Sequence, residues 1–529
     1  MVGAEGAVHD VHVVIVGAGF GGIGMGVALR DAGIEDFLIL EKGADVGGVW
    51  RDNTYPGCSC DVPGHLYSFS FAPYRSTRSR YPGQQHILAY LRHTAADHGL
   101  VPKLRLRTTV VSAIYREERS RWELRTACGD RYDAEVVVFA VGQLHRPHVP
   151  ELPGRELFAC PAFHTARWDH RVDPAGKRIA VIGTGSSAAQ LVPQLAGTAA
   201  SVTIYQRTPN WLLPKPDPMF GRISRLLLHL PGAHRVYRAL VERLADLTLA
   251  PVMRRGWSAR PVGWLARAHL RRRVADPDLR AKLTPQHPIG AKRILFDSAY
   301  YRALTRPDVE LVTAPIERLT ADGVRTADGQ HRRADVLVYA TGFRAPEFLM
   351  PIAVYGRGGQ ALHQRWRDGA DAYLGLAVPG FPNAFLIAGP NSFNPAGSNP
   401  GMKEHQIAFI IECLRWRREI GAPAVEVTEM AMRRYRRWLG EAISHTVWPT
   451  SASWYRHPSG RVTNPWPASG RTFARMLRRP PAESFARVDP VRFDGRGGRG
   501  YEPARVARIQ SARYASHPSP PRRRDHRSA

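Results

Sequence analysis

The sequence predicts an α/β protein built from two parallel-sheet units, one inserted into the other, with an additional helical segment. Three observations lead to this prediction. A strand, a glycine-rich turn, a helix and a second strand follow one another twice, over residues 11–41 and 176–207. Each copy is followed by a later buried strand that ends in small residues, at 134–147 and 334–343. A further apolar strand at 383–392, followed by a helical stretch, indicates that the chain returns to the first unit.

Domain bounds follow from this order of elements. Residues 1–150 and 346–490 are predicted to form the first unit, and residues 151–345 form the second, inserted unit. The second unit includes a helical insert over residues 210–290, where leucine, valine and alanine alternate with arginine at helical spacing. Residues 491–529 are rich in glycine, proline, serine and arginine, so we expect a disordered basic tail there.

The composition is that of a globular protein with an unusual charge. The 529 residues are 44% hydrophobic and 23% charged, which is ordinary, and they suffice for two or three domains. The net charge of +28 is carried mainly by arginine. A nucleic-acid or acidic-membrane partner would explain such an excess. Because the arginines are scattered rather than massed on one motif, we favour a general composition bias and expect no nucleic-acid partner.

Cysteine usage and hydropathy indicate the compartment. Five cysteines without a repeated C-x-x-C spacing argue against a disulfide framework and a zinc site, and they fit a reducing compartment. We find no secretory signal and no apolar run near the ~20 residues that span a bilayer. A cytoplasmic protein without a metal site is therefore expected. The basic amphipathic segment 217–290 leaves two alternatives open, a weak membrane-surface contact or, as we favour, a helical lid whose arginines face water.

The first glycine turn has the context of a dinucleotide-binding motif. An apolar strand at Val11–Val16 leads into Gly17, Gly19 and Gly22, then into a helix and a second strand that ends at Glu41. The glycines allow a pyrophosphate to approach the backbone at the helix N-terminus, and Glu41 can accept a hydrogen bond from a ribose 2′-hydroxyl. The sequence therefore predicts a first Rossmann-like domain that binds FAD or NAD.

The second glycine turn repeats this motif with a different residue at the end of the following strand. Its residues are Gly183, Thr184, Gly185, Ser186 and Ser187. Arg207 lies where the first motif has Glu41. A carboxylate would repel a 2′-phosphate, whereas an arginine pairs with one. We therefore expect FAD in the first site and NADPH in the second, which together indicate a flavin enzyme that is reduced by NADPH.

Between the two motifs, the stretch FACPAFHTARWD (Phe158–Asp169) places Cys160 and His164 four residues apart. Such a pair could belong to a metal site, form a nucleophile with its base, or act as a structural latch between domains. A metal site needs three or four ligands, and a nucleophilic cysteine needs a third, orienting group and a pocket. The neighbouring sequence supplies neither, so we favour the latch.

The same stretch resembles the signature of the class B flavoprotein monooxygenases, F-x-G-x-x-x-H-x-x-x-W-(P/D). Phe158, His164, Trp168 and Asp169 fall on it, and the Trp-Asp ending is similar to the type I Baeyer–Villiger monooxygenases. Cys160 stands where that family has glycine. The resemblance covers roughly residues 10–475 and implies an FAD-binding domain with an inserted NADPH-binding domain. It also implies that His164 and Trp168 couple the two domains.

The resemblance assigns further site residues. The segment Gly47–Phe71 resembles the one that surrounds the flavin ring, and it would supply Val49, Trp50, Arg51, Asp52, Asp61 and Tyr67. The segment Gly290–Leu304 resembles the one that carries the family's active-site arginine, here Arg293, beside Lys292. Lys292, Arg207 and Thr208 would contact NADPH. The segment Ser453–Pro467 would place Trp466 near the nicotinamide nucleotide.

The implied activity is that of an FAD-dependent, NADPH-consuming monooxygenase. A C4a-peroxyflavin would insert one oxygen of O₂ next to the carbonyl of a ketone and give an ester or a lactone. Arg293 would stabilise the negative charge of the reacting oxygens, and Asp61 would orient it. Oxygenation of nitrogen or sulfur by the same fold is the nearest alternative. A basic nucleic-acid-binding protein and an uncoupled NADPH oxidase are more distant ones.

Overall fold

The structure is a computed structural model, and it describes residues 7–76, 79–216, 219–230, 232–296, 299–451 and 453–491. The predicted disordered tail therefore lies, from residue 492 onward, outside the described residues. The other elements of the sequence prediction can be compared with the structure.

The elements of the first part of the chain are β1 (Val8–Val16), α1 (Phe20–Asp31), β2 (Phe37–Leu40), α2 (Val49–Asp52), α3 (Gln84–Asp97), β3 (Leu104–Arg105), β4 (Val110–Arg116), β5 (Arg121–Thr126) and β6 (Arg131–Phe139). Those of the middle part are β7 (Ala162–His164), β8 (Arg178–Ile182), α4 (Ser186–Leu195), β9 (Ser201–Tyr205), β10 (Leu212–Leu213), α5 (Arg222–Leu228), α6 (Ala233–Thr248), α7 (Ala250–Met253), α8 (Ala259–Arg273), α9 (Pro277–Leu283), β11 (Leu295–Phe296), α10 (Tyr300–Leu304), β12 (Val309–Val312), β13 (Ile316–Thr320), β14 (Gly323–Thr326), β15 (His331–Arg333) and β16 (Val336–Tyr339). Those of the last part are β17 (Ala353–Tyr355), α11 (Leu362–Arg365), β18 (Ala384–Leu386), α12 (Asn399–Glu419), β19 (Ala424–Val427), α13 (Glu429–Ser444), α14 (Gly470–Met476) and β20 (Phe485–Val488).

The first unit is built on a sheet whose strands come from both ends of the chain. Its order is β17-β4-β5-β6-β1-β2-β3, and β18 pairs with the C-terminal half of β6. Val14 of β1 lies opposite Leu38 and Val137 in parallel register. Val13 and neighbouring alternate residues pack against the core that includes α1 and α12, whereas Val14 packs into the core on the opposite face. The sheet is thus covered on both faces, which explains why its central strands β1 and β6 end in continuous apolar runs.

The second unit is built on a parallel sheet of order β12-β9-β8-β16-β7. Val181 lies opposite Ile204 and Val338 in register. All of these strands fall between β6 and β17 in the chain, which confirms the predicted insertion of one Rossmann-like unit into another. The bounds at 150/151 and 345/346 stay a prediction, because strand membership does not define where a domain ends.

The helical insert leaves and re-enters the second unit at one neck. The short strands β10 and β11 pair in parallel, Leu212 with Leu295, on either side of helices α5–α9. The insert packs on the C-terminal part of the chain, where the Trp448 indole N–H donates to the Gly290 carbonyl at 3.0 Å. Val447 N–H donates to the Met253 carbonyl at 2.9 Å. This neck fixes the position of the residues that immediately precede β11.

The two chain crossings between the units lie side by side. Pro147 and Phe343 form an antiparallel bridge. His148 N–H donates to the Gly342 carbonyl at 2.9 Å, and Arg344 N–H donates to the Arg146 carbonyl at 2.9 Å. The two units are therefore connected by one two-stranded ribbon rather than by two independent linkers.

Candidate active site

A cavity of about 980 Å³ lies at the carboxyl ends of both sheets, where open α/β sheets bind their ligands. We call it the interdomain cavity. It is lined by most of the residues predicted from the sequence: Gly17, Gly19, Glu41, Val49, Trp50, Arg51, Asp52, Asp61, Tyr67, Gly183, Thr184, Gly185, Ser186, Ser187, Arg207, Thr208, Lys292 and Arg293. Gly22 and Trp466 are the predicted residues that do not line it.

The first glycine turn is closed by backbone contacts that leave no room for side chains. Gly17 has a φ of +105°, and a Cβ there would lie 2.8 Å from the Ala140 carbonyl oxygen. A Cβ on Gly22 would overlap the Gly17 carbonyl oxygen, so Gly22 serves the close packing of α1 on the turn. Helix α1 starts after Gly19 without a side-chain cap. Its first N–H groups are therefore available to a phosphate in the interdomain cavity.

Glu41 is held at the end of β2 by three protein donors. It is 4% exposed, and its carboxylate accepts hydrogen bonds from Ala18 N–H at 2.8 Å and Gly43 N–H at 2.7 Å. The Arg51 guanidinium donates to the same carboxylate at 2.8 Å. Such an anchored acceptor, lining the cavity next to the glycine turn, fits the ribose of FAD.

The segment predicted to surround the flavin forms the short helix α2 and a loop that returns to the cavity. The Trp50 indole N–H donates to the Tyr67 hydroxyl at 3.2 Å, and the two rings meet edge to face. Burial raises the pKa of Tyr67, so its phenol stays protonated. Arg51 N–H groups donate to Asp52 at 2.8 Å and to the Asp45 carbonyl at 2.6 Å. These contacts hold the segment in place where it lines the cavity.

The second glycine turn repeats the backbone geometry of the first. Gly183 has a φ of +111°, and a Cβ there would overlap the Ala340 carbonyl oxygen, just as Gly17 faces Ala140. Helix α4 also starts without a side-chain cap, after Gly185. A Cβ on Gly185 would meet no heavy atom within 4 Å. The turn therefore leaves open space at a helix N-terminus, which fits a second pyrophosphate.

Two cations without carboxylate partners flank the second turn. The Lys292 ammonium donates to the Thr208 hydroxyl at 2.5 Å, and the Thr184 hydroxyl donates to the Thr208 carbonyl at 3.2 Å. Burial, and then the charge of Arg207, lower the pKa of Lys292. Among the described residues, no carboxylate oxygen lies within 4.0 Å of Arg207 or Lys292. Two like charges held together without a counter-ion fit a dianion such as a 2′-phosphate.

The predicted catalytic pair spans the two units. Arg293 lies just before β11 at the neck of the insert, and Asp61 lies in the loop after α2. The guanidinium Nη2 and Nε donate to the two carboxylate oxygens of Asp61 at 2.5 and 3.2 Å. Arg293 also lies over the Phe393 ring, 5.9 Å from its centre. Burial by itself lowers the pKa of Arg293, but the charge of Asp61, the hydrogen bond to Asp61 and the neighbouring Tyr455 together outweigh burial and raise it, so the guanidinium is always charged.

The structure does not bring Trp466 to the cavity. Trp466 is 1% exposed and belongs to the core of the first unit, where its indole N–H donates to the Ser469 carbonyl at 3.0 Å. From the same C-terminal segment, Trp454 lines the cavity. Phe393 and Asn399, which follow β18, line it as well. The carboxyl end of a strand in an open sheet is a signal that could have identified these two residues from the sequence.

The loop that carries Asp61 is joined to the second unit by a hydrogen-bonded glutamine. The Tyr55 hydroxyl donates to Gln190 Oε1 at 2.8 Å, and Gln190 Nε2 donates to the Ser59 carbonyl at 3.0 Å. Gln190 belongs to α4, directly behind the second glycine turn. Asn210, which also lines the cavity, donates to the Thr184 carbonyl at 2.7 Å. No sequence pattern identified these contacts, because they join residues that are distant in the chain.

The Cys160–His164 pair is neither a metal site nor a nucleophile with its base. His164 Nδ1 accepts from Ala166 N–H at 3.0 Å, and Nε2 donates to the Gly342 carbonyl at 2.9 Å, so both ring nitrogens are occupied. Burial lowers the pKa of His164 to about 4. Within the described ranges, no group of three His, Cys, Asp or Glu residues could hold a metal ion. Since Gly342 belongs to the interdomain ribbon, His164 acts as a latch on that ribbon.

Comparison with known proteins identifies the family. The pyridine nucleotide-disulphide oxidoreductase family matches residues 14–224. A Baeyer–Villiger monooxygenase of Streptomyces coelicolor is 40% identical over 479 residues, which cover 89% of this chain and 92% of that protein. The chain belongs to the Baeyer–Villiger monooxygenases. A steroid monooxygenase bound to NADP superposes with a TM-score of 0.81 at 30% identity, over 91% of this chain and 100% of the other. OTEMO in complex with FAD and NADP superposes with a TM-score of 0.81 at 26% identity, over 90% and 99%.

The predicted family, fold class, enzyme type and cofactors are thus confirmed. The enzyme is an NADP-dependent flavoprotein monooxygenase that uses FAD and NADPH. Oxygenation of nitrogen or sulfur is not favoured. In the part of the chain that the structure describes, none of the helices has both the length and the apolar character needed to cross a bilayer.

Proposed function

We propose that this Baeyer–Villiger monooxygenase converts a ketone into an ester or lactone at the wall formed by Arg293 and Asp61. One observation carries the proposal. A guanidinium, held by two hydrogen bonds to a carboxylate of the other unit, lines the same cavity as both dinucleotide turns. A fixed cation on this wall would stabilise the negative charge that an oxygen develops when it is transferred from one cofactor to a small molecule.

The cofactors are assigned to the two halves of the cavity. Glu41, the first glycine turn and the segment Val49–Asp52 would hold FAD. The second turn with Arg207, Thr208 and Lys292 would hold NADPH. When bound and reduced by NADPH, FAD supplies the activation of O₂. The buried contacts of Glu41 and the open space beside Gly185 support this assignment.

The protein's own contribution is a fixed positive charge. The Arg293 side chain cannot lose its proton near neutral pH, so it can stabilise an oxyanion on the substrate throughout the reaction. Asp61 holds the guanidinium plane by two parallel hydrogen bonds, which removes the cost of orienting it during the reaction. The apolar residues Phe393 and Trp454 on the same wall suit the hydrocarbon part of a ketone.

The test replaces Arg293 and separates the two half-reactions. We expect Arg293→Ala to keep NADPH-dependent flavin reduction within about twofold and to lower ester formation by roughly 10²–10³-fold, the usual effect of removing an oxyanion-stabilising group. Arg267→Ala is the matched control, because Arg267 packs on the Trp211 ring nearby without lining the cavity. Loss of both half-reactions in Arg293→Ala alone would refute the assigned role. Formation of an N-oxide or S-oxide instead of an ester would refute the substrate class.

A weak contact of the helical insert with membranes is also part of the proposal. On α6, Val236, Leu240, Leu244 and Leu247 form one outward stripe and are each 58–70% exposed. The opposite face is fixed to the first unit, where Arg238 donates to the Ser68 carbonyl at 2.7 Å. Residues 219–273 contain twelve arginines and two acidic residues. An apolar stripe on such a basic segment fits an anionic lipid surface.

Vesicle flotation tests this contact. The enzyme should float with vesicles that contain anionic lipid and not with zwitterionic ones, and a Leu240→Ser/Leu244→Ser variant should lose flotation. Leu157→Ser, at another exposed leucine of the second unit, is the control. The proposal would be contradicted if the Leu240→Ser/Leu244→Ser and Leu157→Ser variants floated equally. It would also be contradicted if the Leu240→Ser/Leu244→Ser variant differed from the wild type only in its oligomeric state. A cytoplasmic location stays a prediction from the sequence.

A further inference from the structure

One cation in the interdomain cavity has no role in the site described so far. Lys403 lies on α12 and lines the cavity together with Asn399, one helical turn before it. Its ammonium donates to the Asn399 carbonyl at 3.3 Å. Across the described ranges, no carboxylate oxygen lies within 4.0 Å of it. Burial lowers the pKa of Lys403 to about 8, so the ammonium still keeps its proton at neutral pH.

The neighbouring carboxylate does not neutralise this charge. Glu404 accepts from the N–H and hydroxyl of Ser70 at 2.6 and 2.8 Å, and Arg238 lies 3.4 Å from its other oxygen. Lys403 also lies near the N-terminus of α12, the positive end of the helix dipole. Two sources of positive potential on one wall favour a ligand that carries negative charge at that place.

The position of Lys403 in the fold indicates which ligand this is. Helix α12 belongs to the first unit and packs on α1, the helix of the first glycine turn. Asn399 is tied to the loop after β18, since Asn394 N–H donates to its amide oxygen at 3.0 Å. Phe393 in that loop lies under Arg293. Lys403 is therefore on the FAD side of the cavity and close in the fold to its reacting end.

Reduction of FAD creates a negative charge there. Transfer of a hydride would break a C–H bond of the NADPH nicotinamide and leave NADP⁺, and the flavin would gain one proton and two electrons, hence one negative charge. A cation beside that ring stabilises the reduced form over the oxidised form and so raises the midpoint potential. We propose that Lys403 is this cation, a positioning charge that faces the reduced flavin ring and sets its potential. The inference rests on the proposed location of FAD in the first half of the cavity.

The test measures the midpoint potential of the bound FAD against a reference dye at pH 7. In Lys403→Met, the equilibrium should shift at least tenfold towards the oxidised form, which for a two-electron couple is a fall of about 30 mV. Lys403→Arg should keep the equilibrium within threefold of the wild type. The control is Lys42→Met, which removes the same charge from the same cavity beside Glu41, at the ribose end. Methionine fills a similar volume, so the substitution removes the charge with little change in packing at this half-buried position.

Flavin content and potential together separate the possible failures. A Lys403→Met enzyme that binds FAD fully and has the wild-type potential would overturn the inference while leaving the proposed function intact. An equal fall in Lys42→Met would overturn it as well, because the effect would then be a property of net charge. A wild-type enzyme that binds no FAD would overturn both proposals.

Discussion

The second dinucleotide site predicts that the preference for NADPH over NADH depends on Arg207. The two nucleotides differ only in the 2′-phosphate. Arg207 is exposed at the end of β9, has no carboxylate partner among the described residues, and lies near enough to Lys292 to lower the pKa of that ammonium. Arg207→Ala should therefore weaken the reaction with NADPH and leave the reaction with NADH nearly unchanged.

The magnitude follows from the contacts that remain. One hydrogen bond between charged groups contributes about 1.5–3 kcal/mol, which corresponds to roughly a 10- to 150-fold fall in kcat/KM for NADPH. Lys292, with its hydroxyl partner Thr208, would still attract the phosphate, so some preference for NADPH should survive. Because Arg207 is exposed, the effect should shrink when ionic strength shortens the screening length below about 8 Å.

The assay is stopped-flow reduction of the bound flavin with each nucleotide at two salt concentrations. Arg318→Ala is the control, since it removes an exposed arginine from the same unit without touching the cavity. A parallel loss with NADPH and NADH would refute the 2′-phosphate assignment. So would a loss of the same size in Arg318→Ala, because the long-range field of the unit would then explain it.

Two further predictions concern backbone and pH. Gly183→Ala should abolish stable folding of the second unit, because its Cβ would overlap the Ala340 carbonyl. Gly185→Ala should fold normally and raise the KM for NADPH at least tenfold. Thermal melts and steady-state kinetics would show these effects, and equal stability of the two variants would contradict the reasoning. His164 has a folded-state pKa of about 4 against about 6.5 when unfolded, so its contribution to stability is full above pH 6.5 and falls as the pH drops towards 4. Between pH 6.5 and pH 5 the wild type should lose about 2 kcal/mol of its free energy of unfolding through this histidine. The free energy of unfolding of His164→Gln, measured with urea, should therefore depend less on pH than that of the wild type. An identical pH dependence of the two proteins would contradict this prediction.

Local patterns made the two dinucleotide sites predictable from the sequence. The strand, glycine turn, helix and strand are contiguous, so their residues and the strand-end positions of Glu41 and Arg207 could be identified without any tertiary information. The predicted first strand at Val11–Val16 is observed as Val8–Val16, because Val8 continues the pairing with β6 opposite Arg131. Element ends of this kind are set by the neighbouring strand, which the local pattern does not contain.

Long-range contacts explain what the sequence could not provide. Trp454 and Trp466 lie in one short segment. Trp454 lines the cavity, whereas Trp466 packs on Trp438 in the core. Gln190 and Asn210 act through partners that are distant in the chain. Lys403 lies in the second turn of α12, in an otherwise ordinary helix pattern. None of these positions has a local signature, because each is defined by a contact that only the folded chain creates.

The partners of the cavity's cations separate their roles in a way that the net charge of +28 cannot. Arg293 has a carboxylate partner in the other unit, so its orientation is fixed and its charge can act on a transient oxyanion. Among the described residues Arg207 and Lys292 have none, and such uncompensated charges suit a permanent anion that supplies the missing counter-charge when it binds. Lys403 is half-buried and has no carboxylate partner in the described part of the chain, which suits a ligand that becomes negative during turnover. We therefore propose that these cations meet three different negative charges, namely the 2′-phosphate, the reduced flavin and the reacting oxygen.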